Sequence, residues 1–66
     1  MSVAKIIEIS TESPTSFEDA IVQGITRASK TLHGIKSAWV AEQHVMVENN
    51  KVILYRVGLK VTFVMD

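Results

Sequence analysis

Apolar and polar positions along the chain divide it into four stretches. From Val3 to Ile9 the isoleucines and valines crowd both parities, with Ile6 opposite Ile7 and Ile9. That pattern predicts a strand buried on both sides. The polar run Ser10-Thr11-Glu12-Ser13-Pro14 predicts its end. From Phe17 the period lengthens, and apolar residues recur at Phe17, Ala20, Ile21, Gly24, Ile25, Ala28 and Leu32, as on one face of a helix. Arg27 and Lys30 fall on its wet face. Two capping boxes compete at its start, Thr15 with Glu18 and Ser16 with Asp19. Either choice puts acidic residues in the first turn, where the helix dipole favours them. Gly34 is the expected left-handed residue that closes the helix.

Two long strands follow, Ser37 to Glu48 and Lys51 to Met65, around Asn49-Asn50. Asparagine tolerates positive φ, so this pair suits a two-residue hairpin turn. The last strand alternates cleanly. Ile53, Tyr55, Val57, Leu59, Val61, Phe63 and Met65 share one face, and Val52, Leu54, Arg56, Gly58, Lys60, Thr62 and Val64 the other. The predicted fold class is α+β, in the order β-α-β-β: a three-stranded antiparallel sheet packed on one helix. An unbroken register from the Asn-Asn turn puts Trp39 beside Lys60, Gln43 beside Arg56 and Val45 beside Leu54, on the face away from the helix. Glu42 and His44 then fall on the helix face.

That uncovered face, carrying Trp, Val and Leu, marks an interface or a ligand site. Length points the same way. At 66 residues the chain lies below the ~70–80 at which one core reliably holds a fold. It has no cysteine, which excludes disulfides and thiolate zinc sites, and only two histidines. Partner subunits are the stabiliser left. The formal net charge is zero, against a dedicated nucleic-acid or membrane-surface binder. Met1-Ser2-Val3-Ala4-Lys5 lacks a signal-peptide pattern, and no apolar run approaches ~18 residues. The expectation is one domain, residues 1–66, in the cytoplasm, assembling with itself.

Six positions carry candidate chemistry. Trp39, the one tryptophan, is either an interface anchor or a stacking platform for a flat aromatic ligand. Arg56 interrupts an apolar strand, as a surface arginine with a buried stem or as a donor fork for a carbonyl, carboxylate or phosphate. Gln43 offers both donor and acceptor beside it. Glu42 and His44 have a spacing that can hold a divalent ion, but two ligands do not make a site, and no metal is expected. His33 reads as a residue interacting with the helix C-terminus. No phosphate loop, nucleophile elbow, His-Glu-x-x-His or cysteine nucleophile is present, so catalysis is not expected.

The short first strand ending in Ser13-Pro14, the helical Arg27-Ala28-Ser29-Lys30-Thr31-Leu32, Trp39 opening the second strand and the closing Tyr55-Arg56-Val57-Gly58-Leu59-Lys60-Val61-Thr62-Phe63 together resemble the dodecins. The resemblance spans essentially the whole chain. It implies a hollow homododecamer of four trimers that stores or sequesters riboflavin or FMN without catalysis. In the family, paired flavins stack between symmetry-related tryptophans, and the indole quenches the photoexcited ring. Trp39 matches that tryptophan, and the implied contact set is Trp39, Arg56, Gln43, Ala38 and Met46. Arg56 stands where flavin-binding members carry a glutamine. Arginine only donates, so the ring N–H needs another acceptor, for which Gln43 or a backbone carbonyl is the candidate. The alternative is an ion-associated assembly with weak or no flavin binding. Some dodecins also resemble binders of coenzyme A, and the matching positions are Lys5, Arg27, Thr31 and His33.

Overall fold

The computed structural model describes residues 3–65, without the side chain of Met65. Met1, Ser2 and the Met65 side chain, which entered the expectations above, lie outside the described residues. The elements are β1 (Val3–Ser13), α1 (Phe17–Ala28), β2 (Ile35–Glu48) and β3 (Lys51–Met65). They form one antiparallel sheet of order β1-β3-β2, the β-α-β-β arrangement expected.

β1 runs four residues beyond its predicted end, through Ser10-Thr11-Glu12-Ser13, every one paired with β3. Their polar character reflects position, not a break. Glu12 faces Arg56, and Ser13 is 1% exposed at the foot of the helix. Nor is β1 buried on both sides: Ile7, Ile9 and Thr11 are half-buried, whereas Ile6 is 54% exposed. One helix covers only one face.

At the helix start, Ser16 wins over Thr15: the Asp19 N–H donates to Ser16 Oγ at 3.0 Å. The Asp19 carboxylate accepts from Ser13 Oγ at 2.5 Å and from Gln23 Nε2 at 2.8 Å, which ties the end of β1 to the first turns. The helix ends at Ala28, four residues short of Leu32. There the Lys30 and Thr31 N–H groups bond to carbonyls only three residues back, while Ser29 Oγ takes the Thr26 carbonyl at 2.7 Å. Serine and threonine hydroxyls compete for the carbonyls that would extend the helix. Gly34 does have positive φ (76°), but it opens the path into β2 instead of capping α1. A Cβ there would lie 2.8 Å from the Val64 carbonyl oxygen.

Ala20, Val57, Leu59 and Val61 form the core at 0–1% exposure, with Ile7, Ile9, Phe17, Ile21, Ile25 and Ile35 packed around them. The molecule is 52 Å long, whereas a helix of 12 residues spans only ~18 Å. The β2–β3 hairpin therefore projects beyond it, leaving Ile53 42% and Val52 47% exposed. Its turn has Asn49 at φ 53° and Asn50 at φ 62°, as the two-residue loop requires.

Candidate functional site

The register of β2 against β3 decides which side chains meet, and it is broken three times. Glu48 faces Lys51 and Val47 faces Val52, as expected. A bulge at Ile53 then shifts the pairing by one, and a second at Ala41 shifts it back, so that Trp39 again faces Lys60. Between them Met46 faces Leu54, His44 faces Arg56, Gln43 faces Val57 and Glu42 faces Gly58. An unbroken ladder would have set the Glu42 carboxylate against Val57, which is fully buried. The bulges remove that charge from the core side.

Three expectations are corrected, the first being Val45, which faces Tyr55 on the helix side and is not the neighbour of Leu54. Glu42 and His44 lie on the uncovered face, in line with Gly58 and Arg56. Gln43 lies with Val57 on the helix side and is not the neighbour of Arg56. Ala38, paired with Val61, is on that side too, whereas Met46 shares the uncovered face with Trp39 and Arg56.

On the uncovered face β1 contributes carboxylates. Arg56 donates from Nη2 at 2.8 Å and from Nε at 3.2 Å to Oε2 of Glu12. Lys60 Nζ lies 3.7 Å from Glu8 Oε1. Between these rows, Gly58 is flanked by Ser10 of β1 and Glu42 of β2. Glu8, Ser10, Glu42 and Gly58 line a shallow open hollow of about 490 Å³. Gly58 has no side chain, and the Glu42 side chain lies across it: a Cβ there would come within 2.9 Å of Glu42 Cγ and 3.5 Å of its Oε1. Outside the lining of the hollow, Trp39, 45% exposed, faces Lys60 in the row on one side of Gly58, and the Glu12–Arg56 pair lies in the row on the other side. Four residues of strand separate those rows, roughly 13 Å at ~3.3 Å per residue, within the combined reach of a tryptophan and an arginine.

A second groove, between α1 and β1, is lined by Ser10, Thr11, Glu12, Gln23, Gly24 and Arg27. Of Lys5, Arg27, Thr31 and His33, only Arg27 borders it; the other three are exposed elsewhere. Among the described residues no three His, Asp or Glu side chains are grouped to hold a metal ion. None of the described helices is long and apolar enough to cross a membrane.

The family model described as Dodecin matches residues 3–66. The chain belongs to the dodecin family. It is 42% identical over 65 residues to the calcium dodecin of Mycobacterium tuberculosis, covering 98% of this chain and 92% of that protein. The dodecin from Streptomyces davaonensis superposes with a TM-score of 0.94 at 31% identity, over 98% of this chain and 96% of the other. The crystal structure of the calcium dodecin from M. tuberculosis, which has a novel calcium-binding site, superposes with a TM-score of 0.85 at 39% identity, over 97% and 91% of the two chains. Sequence reasoning singled out Trp39 and Arg56 but not Glu8 or Glu12, and it left Glu12 outside β1 by stopping the strand at Ile9. The missed signal was charge: Glu8 and Glu12 alternate in step with Lys60 and Arg56.

Proposed function

We propose that this member of the dodecin family is a non-catalytic flavin store of the cytoplasm, holding riboflavin or FMN within a shell of twelve copies. The observation that carries the reading is the exposed Trp39 indole on the same uncovered face as Arg56, in cross-strand rows on either side of Gly58. A flat ring needs a stacking partner and polar groups at its edge, and the uncovered face carries both. Stacking on an indole adds roughly 0.5–1.5 kcal/mol beyond burial. The bound flavin would supply the chromophore; Trp39 stacks on it and Arg56 meets its polar edge. The apolar residues on this face, Met46 and its cross-strand neighbour Leu54 among them, support assembly through the same surface.

Titration of riboflavin and of FMN in the dark, followed by flavin fluorescence, tests the reading. Saturable quenching near one flavin per chain is expected. The variant Trp39→Ala should lose binding while sizing chromatography finds the assembly intact. Unchanged affinity in Trp39→Ala would falsify the stacking role.

The names of the M. tuberculosis relatives favour a second reading, an assembly that holds calcium. Within one chain the hollow offers Glu8, Glu42 and the Ser10 hydroxyl, fewer oxygen groups than the six to eight ligands calcium takes. Such a site therefore needs further oxygens, from water or from a second copy. Calorimetric titration with calcium after chelator treatment separates the readings: heat that saturates with calcium, in a protein indifferent to flavin, selects the second.

A further inference from the structure

Arg56 by itself cannot meet an imide edge, the O=C–NH–C=O face that closes a flavin or a pyrimidine, because a guanidinium has five donors and no acceptor. The structure gives it a partner that does accept. Nε–H and one Nη2–H close on the same oxygen, Oε2 of Glu12. Oε1 accepts no hydrogen bond among the described residues. Both Nη1 protons and the second Nη2 proton are likewise unused. The pair stays open to a ligand, its side chains being 37% (Arg56) and 48% (Glu12) exposed. It also lies in one cross-strand row, on the face that carries Trp39 and Gly58.

We propose that Glu12 and Arg56 act as one composite reader of an imide edge, Arg56 donating to the ring carbonyls and Glu12 Oε1 accepting from the ring N–H. Two side chains on neighbouring strands thereby do what a single amide, with one donor and one acceptor group, does alone. Glu12 becomes a specificity-determining residue, and β1 becomes part of the ligand site. The inference rests on the flavin reading. His44, the residue facing Arg56 from β2, makes no hydrogen bond to it among the described residues and is the competing acceptor.

The test compares riboflavin with 3-methylriboflavin, which lacks the ring N–H, on the wild-type protein, Glu12→Ala and the double variant Glu12→Ala/Arg56→Gln. Wild type should prefer riboflavin by about tenfold or more, the scale of one hydrogen bond to a charged group. Glu12→Ala should bind riboflavin about tenfold more weakly and show no preference. The double variant should recover both affinity and preference, since the glutamine amide donates and accepts. A merely structural role for Glu12 would weaken both flavins equally and leave their ratio unchanged. Equal binding of the two flavins by wild type overturns the composite reader and spares the flavin reading. A preference that survives in Glu12→Ala assigns the acceptor to His44 or the backbone and overturns it as well. A wild-type protein that binds neither flavin overturns both.

Discussion

Odd and even positions of β3 differ by one peptide unit and meet opposite surroundings. Val57, Leu59 and Val61 are at most 1% exposed beneath α1. Arg56, Gly58 and Lys60 look away from the helix, among Glu12, Ser10, Glu8, His44, Glu42 and Trp39. On the covered face the requirement is shape: apolar volume must fill the space between helix and sheet. On the open face it is placement: donors, acceptors and one indole stand at fixed spacings around a residue with no side chain. The same strand can serve both because its side chains alternate. The cost of change should differ accordingly, with stability lost on one face and recognition on the other.

The largest effect is expected on the covered face. Leu59→Ala removes a fully buried side chain beside Val57 and Val61, at a loss of about 2–5 kcal/mol. The whole stability of so small a chain is only ~3–10 kcal/mol. Urea denaturation should find the variant unfolded, or its midpoint lower by about 2 M. A shift under half of that would mean that assembly, not the helix–sheet core, carries the stability.

Next comes the contact that holds the helix to β1. Gly24→Ala improves helix propensity by about 1 kcal/mol, yet its Cβ would lie 2.2 Å from Thr11 Cγ2. Overpacking of that kind costs about 1–3 kcal/mol, so a net loss of about 1 kcal/mol is expected. Adding Thr11→Ser deletes that methyl but leaves Cβ 3.0 Å away, so part of the loss should be recovered, a coupling read directly in a double-mutant thermal-denaturation cycle. A stabilised single variant would show that α1 can ride higher on the sheet than the structure places it.

The smallest effect belongs to the open face. Lys60→Met breaks the 3.7 Å contact with Glu8, but both side chains are well exposed, and such pairs contribute less than ~1 kcal/mol. Its denaturation midpoint should stay within error of the parent. A large drop would reveal that Lys60 is buried against another copy.

How far these faces could be read from the chain varies by element. The helix, the Asn49-Asn50 turn and the alternation of β3 were legible, since each depends on neighbours a few residues away. The end of β1 was not. Ser10, Thr11, Glu12 and Ser13 look like a loop until their partners on β3 are known, and only pairing shows that Glu12 answers Arg56. Gln43 illustrates the limit more sharply: a one-residue bulge at Ile53, undone only at Ala41, exchanged its face with those of Glu42 and His44. A clue was present, because the unbroken register set a carboxylate against the core valine Val57.

The sequence by itself determined the order of elements, the composition of the core and the need for a surface beyond what one helix covers. Hydrophobic period, capping residues and turn residues act locally, so a linear pattern records them. The tertiary structure alone decided which polar groups share the open face. Bulges shift a ladder by one residue, and in a sheet one residue exchanges inside for outside. That shift set His44 in place of Gln43 beside Arg56. The extra length of β1 brought Glu12 to the other side, and the resulting pair carries both the donors and the acceptor that a planar ligand edge requires.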